Sequence, residues 1–247
     1  MRVLPLLRDQ DALMPAASHF APQNRLLAVM PQADRERFFA DLEPVVLSLR
    51  QVLYEVGAPL EHLYFVEQGI ASVLTTMADG STIEVGMIGR EGAVGVSALL
   101  GGRVSAQHIV VQVPGAALRM NARLCKEAFN QSEDVRSLIL RFAESMMNLS
   151  AQTAGCNRLH SIEQRCARWL LMAHDRIQSD VLPMTHEFLS SMIGVRRPGV
   201  TETAGEFQRS GLIRYHHGQL TIVDREGLEA VACECYLIDH DRLQLLL

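Results

Sequence analysis

Residues 185–209 read THEFLSSMIGVRRPGVTETAGEFQR, and the order of capping, apolar and helix-ending residues in that stretch sets the fold. Thr185 is a natural N-cap, because its hydroxyl can accept from a first-turn N–H. Phe188, Leu189, Met192 and Ile193 then fall on one helical face. Gly194 stands where that helix must stop, since glycine enters the left-handed region at no steric cost. Pro198 suits the first turn of a second helix, where its missing N–H is no loss. Val200, Ala204 and Phe207 give that helix an inner face, and Gly211 ends it. Two short helices joined at a glycine predict a helix-turn-helix, whose second helix can enter the major groove of DNA. Leu189, the small Ser190, Ile193, Gly194, Val195 and Val200 take its interior positions. Thr203 departs from the pattern, being polar where an apolar residue is usual.

Just downstream, residues 212–216 and 219–223 flank the turn residue Gly218 and predict a hairpin, the wing of a winged helix. Asp224 caps a last helix that runs to about residue 237. Between Arg196 and His217 the chain carries Arg196, Arg197, Arg209 and Arg214 against Glu202 and Glu206, a local surplus of two positive charges plus two histidines. Arg196 and Arg197 lie at the start of the second helix, where side chains reach phosphates and base edges. The candidate DNA-binding residues are therefore Thr185, Arg196, Arg197, Pro198, Thr201, Glu202 and His217.

Upstream, Ser132-Glu133-Asp134 opens a stretch without Gly or Pro to about residue 155. Ile139, Phe142, Met146, Leu149, Thr153 and Cys156 step alternately by three and four, which predicts a long helix pairing with a copy of itself along that seam. A further helix over 160–177 has Trp169, Leu170, Leu171 and Ile177 as its apolar residues and Arg165, Arg168 and Arg176 as polar ones. From 45 to 120 the pattern is different: short Val/Ile/Leu/Tyr runs separated by turn signals at 56–59, 68–69, 79–80 and 114–115 predict antiparallel strands in a barrel or jelly roll. Ala78-Asp79-Gly80-Ser81 is the clearest hairpin turn. Residues 86–102, GMIGREGAVGVSALLGG, predict a glycine-rich loop leading into a helical turn at 97–100. Two short helices precede the strands, with Pro44 stopping the second. The fold class is thus α+β, with an extension over 1–24, a sensor barrel over 25–130, a dimerisation helix over 131–157 and a winged helix-turn-helix over 158–247.

The chain has 247 residues, 48% of them hydrophobic and 21% charged, with a net charge of −5. That composition excludes disorder, and no apolar run approaches the roughly 20 residues of a membrane span. The acidic total argues against a polyanionic partner until the local surplus at 196–217 is counted. Of 23 basic residues only Lys126 is a lysine, a bias ascribed to genomic base composition. The apolar run near the N-terminus, 3–7, is too short for a secretory core of roughly 7–15 residues, so a cytoplasmic protein with reduced thiols is expected. Cys233-Glu-Cys235 has no second ligand pair nearby in sequence, so no metal is expected, and Cys156 reads as a buried, inert thiol.

Barrel, long helix and winged helix, in that order, resemble the Crp/Fnr superfamily of bacterial transcription regulators. The resemblance covers residues 25–236 and rests on VLYEVGAPLEHLYFVEQGIASVL, the Ala-Asp-Gly turn, EGAVGVSALLG and the 185–223 segment. It implies a homodimer bound to double-stranded DNA at a palindromic operator, with RNA polymerase as a partner. Cyclic-AMP-responsive members follow the glycine loop with Gly-Glu and later Arg-Ser-Ala, where Glu takes the ribose hydroxyl and Arg the phosphate. The matching residues here are Gly95, Val96 and Ser97, then Val104, Ser105 and Ala106, so both charged ligands are replaced in a degenerate effector pocket. The expectation is no tight binding of cyclic AMP, with an unknown effector or none. The iron–sulfur branch needs an N-terminal cysteine cluster, but the first cysteine here is Cys125; His62 and His108 are isolated, which argues against haem. No cofactor is expected. Where common members read DNA with Arg-Glu and a later Arg, this chain has Arg197, Pro198 and Glu202, so its half-site should differ.

Two other functional classes fit the sequence less well. A ligand-binding module without gene regulation conflicts with the 185–223 motif. A cupin-like barrel enzyme would need clustered His and Glu, and the chain shows no nucleophile elbow, P-loop or spaced carboxylate pair, so no catalytic residue is assigned.

Overall fold

In the computed structural model, which describes residues 21–177 and 179–246, the alternating stretch between 43 and 121 becomes six strands. They are β1 (Glu43–Leu47), β2 (Val52–Tyr54), β3 (His62–Thr76), β4 (Thr82–Ile88), β5 (Ala93–Val94) and β6 (His108–Asn121). All pair antiparallel along the path β1-β6-β3-β4, with β2 on β6 and β5 on β3. The long β3–β6 ladder slips register between Val66 and Ala71, and such bulges bend a strand. At the slip, a Cβ on Gly115 would collide with the Gln68 carbonyl, so only glycine lets the two strands approach. The curled sheet encloses Leu47, Leu63, Phe65, Ile88, Leu118 and Met120. The β3–β4 hairpin turns where the sequence predicts: the Asp79 carboxylate accepts from the Ser81 N–H at 2.9 Å and Gly80 has φ +83°. The glycine-rich stretch gives β5 and a 3₁₀ turn, Val96–Ala98, entered through Gly95 at φ +91°.

Several boundaries differ from expectation. The helices α1 (Arg25–Ala28) and α2 (Gln32–Ala40) form, but α2 ends at Asp41, and Pro44 lies inside edge strand β1, where a missing N–H is tolerated. Asn24 is fully buried: its amide donates to the carbonyls of Val66 and Gly92, both at 2.8 Å, and its oxygen caps α1. It belongs to the barrel rather than to an extension; residues 1–20 of that extension lie outside the described residues.

After α3 (Ala122–Gln131), Ser132 caps α4 (Glu133–Leu159) by accepting from Val135 N–H at 3.2 Å. The stripe expected to meet a second copy is turned inward. Ile139, Phe142, Leu149 and Cys156 are buried, and Met146 and Thr153 are half-buried, within this one chain. The reason is steric: Phe142 fills the space over Gly92, where any Cβ would strike its ring, and Leu149 joins the core around Trp169. The face of α4 left open carries Leu140, Met147, Ala151, Ala154 and Leu159, with Met147 71% exposed.

The remainder comprises α5 (Ile162–Ile177), β7 (Val181–Pro183), α6 (His186–Ile193), α7 (Arg197–Arg209), β8 (Ile213–His216), β9 (Gln219–Ile222), α8 (Arg225–Val231) and α9 (Cys235–Leu246). The strands pair in the order β7-β9-β8, so the predicted wing gains an unpredicted third strand. The expected single last helix breaks at Ala232, and α9 folds back against α4 and α5. A second core joins Ile70, Leu74 and Met87 of the barrel to Trp169, Leu170 and the helix-turn-helix. This packing buries Arg165, Arg168 and Arg176, which the sequence placed on a polar face of α5. Each has a partner: Arg176 Nε meets Glu91 at 2.7 Å, Arg168 meets Asp239 at 2.6 Å, and Arg165 donates to the Ile193 carbonyl. Buried charge is tolerable when paired in this way.

Candidate nucleic-acid interface

The helix-turn-helix assembles from the caps the sequence supplies. Thr185 Oγ1 accepts from Phe188 N–H at 3.1 Å, and α6 ends at Gly194 with φ +62°. Arg165 fixes the turn by capping the last carbonyl of α6, and a Cβ on Gly194 would collide with Ile83 of β4. The turn is therefore seated on the barrel's own hairpin. Pro198 lies in the first turn of α7, whose inner face buries Val200, Thr203, Ala204 and Phe207. The polar departure at Thr203 is accommodated inside that face.

Arg196, the N-cap of α7, and Arg197, Pro198, Thr201 and Glu202 of its first turns form an exposed row, and Glu206, Gln208 and Arg209 are exposed further along the helix. Thr185 and His217 are exposed beside it. His217 (φ +48°) and Gly218 (φ +77°) form the tight tip of the wing. Gln208 of α7 accepts from Tyr215 N–H at 3.0 Å, and the His186 ring lies 4.4 Å from that of Tyr215. Reading helix and wing are thereby tied together. His186 Nδ1 sits 3.1 Å from Thr201 Oγ1. Burial first, then the Arg197 charge, hold this imidazole below its usual range. Sequence reasoning missed Glu187, whose carboxylate stands 3.8 Å from Arg197 Nε with both groups exposed. The two belong to different helices, and no spacing rule links them.

The six residues matched to the effector pocket do not share one lining. Gly95, Val96 and Ser105 are buried, whereas Ser97, Val104 and Ala106 are exposed. Val96 is a member of the barrel core. Val104 is 53% exposed and bridged to Pro59. Ser105 is engaged structurally, its N–H donating to Ala58 at 2.8 Å and its hydroxyl to Gln107 at 2.7 Å. Lys126 closes the loop by donating to the Leu99 carbonyl. A cavity of about 260 Å³ opens elsewhere, between the Arg90–Glu91 loop, α4, α5 and α9.

Cys233 and Cys235, which have no second ligand pair nearby in sequence, gain neighbours in space. The α8–α9 joint brings them against the last turn of α4, so that the ligand atoms of Cys156, His160, Cys233 and Cys235 all lie within 4.8 Å of one another.

Comparison with known proteins agrees with this geometry. Residues 44–132 match the cyclic nucleotide-binding domain and residues 164–231 the Crp-like helix-turn-helix domain. The chain is 23% identical over 191 residues to the global nitrogen regulator of Nostoc sp., covering 72% of this chain and 85% of that protein. It is 36% identical to the transcriptional regulator SdrP of Thermus thermophilus over 61 residues, 25% of this chain and 30% of the relative. Among solved structures it shares its fold with FixK2 from Bradyrhizobium japonicum, with a TM-score of 0.68 at 13% identity, covering 78% of this chain and 98% of that one. The same holds for the c-di-GMP-responsive global regulator CLP of Xanthomonas campestris, at 0.64 and 17%, covering 78% and 99%.

Proposed function

Because the chain belongs to the Crp/Fnr family of transcription regulators, we propose that it works as a homodimer gripping a palindromic DNA site, with one α7 in each of two successive major grooves. The observation that carries this reading is the exposed row on α7 beside the wing tip, basic at its N-terminal end and rigidly braced behind. Arg197 has the fork to bind guanine O6 and N7, and Glu202 can accept from a cytosine amino group. Arg196, at the start of α7 where a helix favours anions, and His217, at the wing tip, contact the phosphates in this reading. Two copies pair through the open face of α4, since Leu140, Met147, Ala151 and Ala154 are exposed at heptad-compatible spacing while the Ile139–Cys156 stripe is buried or half-buried within the chain.

Cyclic AMP does not control it in this reading. Val96 and Val104 stand where responsive members carry the ribose-binding Glu and phosphate-binding Arg, one in the core and one on the surface. Lost charge-assisted bonds cost roughly 1.5–3 kcal/mol each. Among the described residues no helix is long and apolar enough to cross a membrane, which accords with action on DNA in the cytoplasm. Selection of bound sequences from random DNA tests the reading: a two-fold symmetric motif is expected, and an unenriched pool rejects it. Titration calorimetry should show no low-micromolar binding of cyclic AMP.

A further inference from the structure

We infer that Cys156, His160, Cys233 and Cys235 form a metal site for a borderline-soft, tetrahedral divalent cation of the zinc class. Cys156 Sγ lies 3.5 Å from Cys233 Sγ, and Cys235 Sγ lies 3.6 Å from His160 Nδ1. A tetrahedron with metal–sulfur bonds of about 2.3 Å and metal–nitrogen bonds of about 2.0 Å has edges of roughly 3.5–3.8 Å. The spacing is thus that of ligands around a shared ion, and too long for a disulfide of about 2.05 Å. All three sulfurs belong to buried residues, and they form a small cluster apart from the two main cores. Three thiolates and one imidazole constitute a ligand set that selects zinc over hard cations.

The surroundings fit ligation independently. His160 turns Nδ1 to the sulfurs while its Nε2 stands 3.3 Å from the Glu234 carboxylate, the arrangement by which a carboxylate orients a ligating imidazole. Gln152 Nε2 donates to Cys235 Sγ at 3.0 Å. A zinc ion with three thiolates carries a net charge of −1, and the buried Arg168 and Arg165 of α5 lie close enough for their charges to act on Cys156. The four ligands join the end of α4 to the α8–α9 joint, so the ion pins the DNA-binding unit to the long helix. Such an ion contributes folding free energy directly.

The test is elemental analysis of the full chain purified without chelator, with exchange of the bound metal for cobalt(II). About one zinc per chain and the absorption of tetrahedral cobalt–thiolate are expected. Cys235→Ser should abolish or alter that spectrum, while Cys125→Ser, whose thiol is buried in the barrel core, should leave it unchanged. Glu234→Gln keeps all four ligands and should weaken metal affinity roughly 10- to 100-fold, which covers the case in which a cysteine variant does not fold. Chelation should lower the melting temperature of the parent chain but not of Cys235→Ser. A metal-free protein that takes up no cobalt, an iron–sulfur chromophore, a Cys156–Cys233 disulfide in the native protein, or zinc retained unchanged in Cys235→Ser and Glu234→Gln would each overturn the inference.

Discussion

At the scale of single residues, Gly194 and Arg197 have separate tasks in the proposed DNA interface. Gly194 must adopt φ +62° and must leave room for Ile83, so both backbone and packing demand it. Gly194→Ala should cost about 1–3 kcal/mol through left-handed strain, before any displacement of Ile83, read as a lower denaturant midpoint. Arg197 is exposed and its ion pair with Glu187, at 3.8 Å between exposed groups, is worth little in water. Arg197→Ala should therefore leave stability unchanged, cost about 1–3 kcal/mol of specific DNA affinity, and relax preference at one base pair. An unaltered selected motif would reject the placement of α7. The capping residues and helix-breaking glycine were legible in the sequence because they act within a few residues of themselves. Glu187 and the buried partner of Arg165 were not, because their partners come from other elements.

At the scale of elements, α4 is the clearest case of a pattern with two readings. Its sequence holds an apolar stripe from Ile139 to Cys156 and a sparser one from Leu140 to Ala154, and periodicity says only that each lies on one face. The barrel loop at Gly92 and the flank of α5 take the richer stripe, leaving the poorer one exposed, where the dimer proposed above would form. Met147→Glu should then dissociate a dimer while sparing the fold. Losing one buried Met per subunit at about 1.5 kcal/mol or more predicts at least ~100-fold weaker association, measurable by sedimentation. The α5 arginines carry the same lesson, since their charge suggested exposure until the partners Glu91, Asp239 and the Ile193 carbonyl were supplied by three different elements.

At the scale of the whole molecule, the barrel and the DNA-binding unit share a core, and Glu84 of β4 is buried within that contact. Its carboxylate accepts from Trp169 Nε1 at 2.8 Å, and burial pushes its pKa up to about 7 against the pull of Ser72, Trp169, Arg176 and Arg168. A raised pKa means that the folded chain holds this proton more tightly than the unfolded chain. The resulting stability is complete below about pH 4.5 and is lost as pH rises through about 7, amounting to roughly 3 kcal/mol. Thermal unfolding across that range should show the decline, and Glu84→Gln should flatten it. The linear chain determined the helix-turn-helix, its wing, the strand hairpin and the capped α4, because caps, turns and periodicity act over short distances. Only the tertiary structure decided which α4 face is free, that three α5 arginines are interior, that the residues matched to the effector pocket are split between core and surface, and that three cysteines and a histidine converge. Those outcomes depend on contacts between residues as much as 85 positions apart, and no local pattern encodes which neighbour will arrive.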